Sequence, residues 1–143
     1  MGCYGIGVSR LMAAATEVLS TPSELRWPLV LAPFSVAVLA PKAGSREDAA
    51  AGALVEELLR DLETVWPGDV IVDDRGKLTV GKKLREACKT GYPYIVVFGK
   101  RSQEEPPVLE LHTVATGEVV ELGPGELVGR MGEVRRLMEG EAV

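Results

Sequence analysis

Three short runs of apolar residues most strongly constrain what this chain can fold into. They read "FSVAVLA" at 34–40, "VIVDD" at 70–74 and "PYIVVFG" at 93–99. Each run has the length of one strand, and the nearly continuous apolar character of the first and third is typical of strands that are covered on both faces. Helical segments separate the runs, so the sequence predicts an α/β fold in which these strands pair in parallel.

The segments between the strands carry helix signals. Apolar residues recur at helical spacing over 46–65, and Ser45 suits the N-cap of that helix. A shorter helix is predicted over 82–91, where Gly91 suits the left-handed residue that ends a helix.

The second half of the chain predicts an antiparallel hairpin and a final helix. "PVLELHTVATGEVVELG" alternates apolar and polar residues on either side of "ATGE", which predicts two strands joined by a turn. "ELVGRMGEVRRLMEG" then predicts a helix. We therefore expect a mixed five-stranded sheet with three helices, in the order β-α-β-α-β-β-β-α, over about 32–139. A leader helix over 8–19 and a linker, "STPSELRWP", precede this domain.

Composition excludes several classes of protein. An apolar content of 46% in 143 residues is enough for the core of one domain. The chain contains no run of eighteen apolar residues, so no membrane span is predicted. Cys3 and Cys88 are interpreted as free thiols, and with His112 alone they form no zinc pattern. His112 lies in a strand-like run, so we expect neither a metal site nor a catalytic triad.

Charge is distributed unevenly along the chain. The segment 75–101 holds eight basic residues against one acidic residue, a net charge of +7, so the remainder carries −12 within a total of −5. One interpretation is a set of ordinary solvated charges. The other is a cationic face on an acidic protein, which is suited to selective contact with a polyanion.

Lys82, Lys83 and Glu86 lie three and four residues apart on the predicted short helix, which places them on one face. An exposed helix salt bridge, worth about 0.3–0.5 kcal/mol, is one interpretation. Recognition of guanine is the other, because a carboxylate beside a cation matches the two N–H donors and the O6 acceptor of its Watson–Crick edge. That edge is accessible only in unpaired RNA.

Two further clusters have the composition of a ligand-binding site. Asp73 and Asp74 follow a strand, but adjacent strand residues point to opposite faces, so we expect them to cap the loop or to orient Arg75. The opening "MGCYGIGVSR" places Gly5 and Gly7 before Arg10, a pattern typical of a phosphate-binding loop. It lacks the third glycine of the dinucleotide-binding fingerprint.

The same segments resemble a known family. "GCYGIGVSRLMAA" resembles the third signature motif of class II aminoacyl-tRNA synthetases, in the form found in prolyl-tRNA synthetases. "RWPLVLAPFSVAVLAP", "DDR", "VGKK", "TGYPYIVVFGKR" and "TGEVVEL" resemble, in order, the anticodon-binding domain of those enzymes. The mitochondrial, bacterial-like branch is the most similar.

The resemblance implies a function and a set of residues. Gly5, Gly7 and Arg10 would be the remnant of an ATP site, and 1–29 would be the poorly ordered tail of a catalytic domain whose other signature motifs are absent. Residues 30–143 would form the anticodon-binding domain. The family reads the guanines of the proline anticodon, a role that falls on Arg75, Lys82 or Lys83, and Glu86. Leu84 stands where the family has an aromatic residue.

These inferences lead to a set of expectations. We expect a C-terminal piece of a larger ligase that is not catalytic alone, needs no cofactor for its own domain and contacts RNA through the residues Arg75, Lys82, Lys83, Glu86, Lys100 and Arg101. The parent enzyme is expected to use ATP, to be a homodimer and to lie in the mitochondrial matrix, and the fragment to be a monomer. A dimerisation or protein-interaction module on the same fold is the main alternative, and a small-molecule enzyme with a site near Asp74 and Arg75 is a third.

Overall fold

A computed structural model describes residues 4–141 of the chain; Gly2 and Cys3 of the opening segment, and the last two residues of the expected domain, lie outside that range. The helices are α1 (Val8–Leu19), α2 (Arg46–Val65), α3 (Val80–Thr90) and α4 (Pro124–Glu141). The strands are β1 (Val36–Leu39), β2 (Val70–Asp73), β3 (Tyr94–Val97), β4 (Leu109–Thr113) and β5 (Glu118–Leu122).

The five strands form one mixed sheet in the order β2-β1-β3-β4-β5. β1 pairs in parallel with both β2 and β3, while β4 and β5 continue the sheet in antiparallel pairing. Leu39, the last residue of β1, lies opposite Asp73 on one side and Val97 on the other. The predicted architecture is therefore confirmed, and the carboxyl ends of all three parallel strands meet at one edge.

Two helical layers of unequal size cover the sheet. On one face, α2 and α4 bury a large core that includes Leu58, Leu62, Phe98 and Met131. On the other face, α3 packs a smaller core against β1 and β3. Burial of apolar surface stabilises the folded state by about 25 cal/mol for each Å² that is removed from water. Because α3 covers only the centre of its face, β2 stays half-buried along its whole length.

The predicted helix ends are confirmed by the backbone. Ser45 accepts a hydrogen bond from the amide of Asp48 at 3.2 Å, which caps α2. Gly91 has φ of 87° and its amide donates to the carbonyl of Ala87 at 2.9 Å, which ends α3. α3 begins at Val80, two residues before the predicted start, because Val80 packs into the smaller core.

The linker after α1 lies against the domain. The indole N–H of Trp27 donates to the carbonyl of Thr90 at 3.1 Å, and the guanidinium of Arg26 donates to the carbonyl of Ala115 at 3.1 Å. α1 itself is mostly exposed, with Thr16 as its one buried residue. The poor order predicted for residues before about Leu25 stays a prediction.

Candidate nucleic-acid interface

A cleft of about 310 Å³ lies between the uncovered edge strand β2 and helix α3. Apolar residues of β1 and β2 form its floor, and charged and aromatic residues form its rim. It is lined by Ala37, Leu39, Ile71, Val72, Asp73, Asp74, Arg75, Glu86, Ala87, Thr90 and Tyr92. The cleft exists because α3 crosses the centre of the sheet and leaves β2 open beside it.

Asp73 holds the side chain of Arg75 in a fixed orientation at the mouth of this cleft. Its carboxylate accepts hydrogen bonds from Nε of Arg75 at 2.9 Å, from Nη2 at 2.6 Å and from the backbone amide at 3.1 Å. These bonds raise the pKa of Arg75 and hold the pKa of Asp73 below its usual value, against the opposing effect of burial. The expectation that the paired aspartates orient Arg75 agrees with this geometry for Asp73.

Glu86 meets the same guanidinium from the other side of the cleft. Nη1 of Arg75 lies 2.8 Å from Oε2 of Glu86, and the side chains are 52% and 39% exposed. Within residues 4–141, the ion-pair partner of Glu86 is therefore Arg75 rather than either lysine. The cleft thus presents a carboxylate next to an oriented cation, and both are accessible to solvent.

Lys82 and Lys83, which the sequence left equivalent, differ completely in their surroundings. The side chain of Lys83 is 0% exposed, and its ammonium donates to the carbonyls of Ala40 at 2.8 Å and Asp73 at 3.0 Å. Burial lowers the pKa of Lys83. Lys82 is exposed, because adjacent residues of an α-helix point about 100° apart and Lys82 is thereby turned away from the buried face that contains Lys83. The ammonium of Lys83 is therefore enclosed by protein, and Lys82 is the solvent-accessible lysine of the two.

Lys100 and Arg101 lie at a different place from Arg75. They follow β3, and Lys100 lines a second cavity of about 280 Å³ together with Lys42 and the starts of α2 and α3. Arg101 is paired with Glu104 at 3.3 Å and with Glu121. The cationic segment therefore divides between two regions of the carboxyl-end edge, and Arg101 is partly neutralised.

Two hydroxyl-bearing residues of the cleft, Thr90 and Tyr92, were not predicted from the sequence. Thr90 lies four residues after Glu86, and its hydroxyl donates to the Glu86 carbonyl at 3.0 Å. The helical spacing was thus a signal that could have found Thr90. Tyr92 follows the left-handed Gly91, and only the position of the turn against β2 brings it to the cleft.

The segment of the expected ATP remnant lies open to solvent. Gly5, Gly7 and Arg10 are all exposed, and a side chain added at Gly5 would meet nothing within 4 Å. No surrounding surface closes on these residues in the part of the chain that the structure describes. They do not form an ATP site by themselves.

The described residues contain neither a cluster suited to a metal ion nor a helix suited to a membrane. Among residues 4–141, no group of three or more His, Cys, Asp and Glu side chains is arranged to hold a metal ion. His112, on β4, lies 3.3 Å from the carboxylate of Glu110. In the same range, every helix is too short or too polar to cross a membrane.

The chain is a small α/β domain with a mixed five-stranded sheet and a cleft that holds a carboxylate beside a guanidinium. The chain belongs to the anticodon binding domain family, whose profile matches residues 35–133. This match confirms the resemblance found in the sequence. The chain is an anticodon-binding domain of the prolyl-tRNA synthetase type.

Curated relatives support this assignment. The chain is 50% identical over 123 residues to a probable mitochondrial proline–tRNA ligase of Mus musculus, across 84% of this chain and 26% of that protein. It is 40% identical over 140 residues to a proline–tRNA ligase of Geobacillus thermodenitrificans, across 98% of this chain and 23% of that protein. The chain therefore spans about a quarter of the length of the curated relatives that it matches.

The fold is also similar to that of a solved structure, a prolyl-tRNA synthetase from Cryptosporidium parvum in complex with L-proline and AMP. The TM-score is 0.71 at 17% identity, over 88% of this chain and 25% of the other. At this identity the likeness supports the fold alone.

Proposed function

We propose that this domain binds the anticodon loop of proline tRNA and reads its guanines, as part of a proline–tRNA ligase. The observation that carries the proposal is the pair of Arg75 and Glu86 at the mouth of the cleft, 2.8 Å apart and both accessible. In an unpaired guanine, the N1–H and N2–H donors suit the carboxylate of Glu86, and the O6 acceptor suits the guanidinium of Arg75.

The remaining cations contribute to RNA binding through contacts with phosphates. Lys82 and Lys100 are exposed, and Arg101 keeps half of its side chain accessible while paired with carboxylates. Lysines and arginines of this kind add affinity that does not depend on sequence and that weakens as salt rises. We assign base recognition to Arg75 and Glu86 and phosphate contact to Lys82, Lys100 and Arg101.

The leader is proposed to belong to the catalytic part of the parent enzyme. Tyr4, Ile6 and Val18 are 98%, 80% and 83% exposed, which is unusual for apolar side chains of one short segment. In the parent ligase, α1 would pack on a catalytic sheet, and Arg10 with Gly5 and Gly7 would contact ATP there.

The mitochondrial relatives support a place in the mitochondrial matrix, and we propose a homodimeric parent enzyme.

Those exposed apolar side chains also favour one alternative, a protein-interaction or dimerisation module that does not bind RNA. A sedimentation measurement distinguishes the two proposals. A stable dimer of this chain together with no detectable RNA binding would support the alternative, whereas a monomer that binds RNA supports the anticodon-loop proposal.

The direct test is a titration of the full chain with an anticodon hairpin of proline tRNA and with a variant in which both anticodon guanines are replaced by adenines. We expect tighter binding to the guanine hairpin and a steep loss of affinity with salt, about −0.7 in the log–log slope for each phosphate contact. Equal affinity for the two hairpins would contradict the proposed reading of guanine.

A further inference from the structure

The ammonium of Lys83 touches the ends of both strands that border the cleft. It donates to the carbonyl of Ala40, which follows β1, at 2.8 Å and to the carbonyl of Asp73, the last residue of β2, at 3.0 Å. The backbone amide of Ala40 donates to that same Asp73 carbonyl at 3.2 Å. Both acceptor positions of the Asp73 carbonyl are therefore occupied, which fixes the end of β2 relative to β1.

A continuous set of contacts leads from this ammonium to the cleft. Nζ of Lys83 lies 4.0 Å from Oδ1 of the Asp73 carboxylate, and that carboxylate binds both the amide and the guanidinium of Arg75. The guanidinium in turn meets Glu86 at 2.8 Å. Displacement of Asp73 would therefore displace the cation that faces Glu86.

A buried ammonium contributes less to stability than its burial suggests, because the charge has lost its hydration. Removing a charge from water costs several kcal/mol, and a packed apolar side chain of similar length often serves stability as well. Lys83 is nevertheless buried beside charged groups: Asp73 and Arg75 act on it most strongly, and Asp74 and Asp48 act on it more weakly. Its hydrogen bonds give it a geometric role that an apolar side chain cannot supply.

We propose that Lys83 is a positioning residue for guanine recognition, which holds Asp73 and thereby the guanidinium of Arg75 opposite Glu86 without touching RNA. The inference rests on the proposed function of the cleft. It assigns different roles to two neighbouring lysines. Lys83 is buried and holds Asp73, whereas Lys82 is exposed and contacts phosphate.

The test compares Lys83→Met with Lys82→Met in the full chain, using the guanine and adenine hairpins at several salt concentrations. We expect Lys83→Met to lower the preference for the guanine hairpin by about 5- to 100-fold with an unchanged salt slope. Lys82→Met should weaken binding to both hairpins equally and reduce the slope by about 0.7. Unchanged preference in Lys83→Met would overturn the inference.

A second readout needs no RNA. The ¹⁵N order parameter of the Arg75 Nε–H group, measured in the free protein, should fall in Lys83→Met and stay at the wild-type value in Lys82→Met. If the wild-type protein shows no preference for the guanine hairpin, the proposed function fails, and the order parameter still decides the positioning role. An unchanged order parameter in Lys83→Met would overturn it.

Asp73→Asn covers the case in which Lys83→Met does not fold. That variant keeps the backbone carbonyl that Lys83 binds and removes the negative charge that connects it to Arg75. It should show the same loss of guanine preference and the same fall in the Arg75 order parameter. Wild-type values for both in a folded Asp73→Asn protein would contradict the proposed connection.

Discussion

Nη1 of Arg75 lies 2.8 Å from Oε2 of Glu86 and joins the loop after β2 to the middle of α3. The two residues are eleven positions apart, and each belongs to a different side of the cleft. Asp73 occupies the other edge of the guanidinium, so only one edge of Arg75 faces the place where a base would enter. A ligand that replaces this ion pair must offer an acceptor to Arg75 and donors to Glu86.

The first prediction concerns Glu86→Gln. The amide keeps the size of the side chain but offers only one acceptor, so the preference for guanine over adenine should fall by about 1–3 kcal/mol. The free energy of unfolding should change by less than about 1 kcal/mol, because the pair with Arg75 is well exposed. Hairpin titrations and urea unfolding measure the two quantities. Glu56→Gln, an exposed change on α2, is the control, and equal weakening on both hairpins would make Glu86 a structural residue.

The second prediction concerns acid stability. The hydrogen bonds from Arg75 hold the pKa of Asp73 below its ordinary value of 3.8. Asp73 therefore contributes stability that is fully present above about pH 4 and is lost as the pH falls through the lower pKa of the folded state. Asp73→Asn lacks this contribution, so its free energy of unfolding should fall less steeply than that of the wild type below about pH 4. Urea unfolding over a pH series measures this free energy. Parallel curves for the two proteins would show that Arg75 does not lower the pKa of Asp73.

The third prediction compares Gly91→Ala with Gly68→Ala. Both glycines have positive φ, 87° and 71°, so each alanine should cost about 1–2 kcal/mol of backbone strain. A Cβ at Gly91 would also lie 2.7 Å from the carbonyl oxygen of Leu25, whereas one at Gly68 would meet nothing within 4 Å. We expect Gly91→Ala to be the more destabilising by about 1–3 kcal/mol in urea unfolding. Equal costs would mean that the linker moves aside freely.

The fourth prediction concerns the leader. α1 buries only Thr16, so few contacts oppose its opening and its amides should exchange with solvent far faster than those of α2, by at least about tenfold. Hydrogen exchange followed by mass spectrometry measures both helices in one experiment, with α2 as the internal control. Strong protection across Val8–Leu19 would contradict the expected poor order of this segment.

Much of the fold was predictable because its signals are local. The bounds of α2 match the predicted 46–65, since apolar spacing, the Ser45 cap and the residues that end the helix lie within or beside that segment. Gly91 has the left-handed conformation that its place after a helix indicated. The strand ends were less accurate: β1 begins at Val36 rather than at residue 34, and the amide of Ser35, just before it, is shared between the side chain and the backbone carbonyl of Asp69.

The candidate site was only partly predictable. The sequence singled out Arg75 and Glu86 by their charge and by their resemblance to a family, and it indicated that an aspartate would orient Arg75. It also grouped Glu86 with Lys82 and Lys83, because spacings of three and four place residues near one another on a helix. The structure pairs Glu86 with Arg75 instead, at 2.8 Å, and it binds the ammonium of Lys83 to the backbone carbonyls of Ala40 and Asp73.

By itself, the sequence determined the class of the fold and the order of its elements, and it singled out the residues that we propose for a guanine-reading site. These properties follow from side-chain periodicity, from glycine and serine at helix ends, and from the distribution of charge. Only the tertiary structure decided which lysine is buried and which is exposed, and that Arg75 lies between Asp73 and Glu86. Those relationships depend on where α3 crosses the sheet, which is set by packing between residues far apart in the chain.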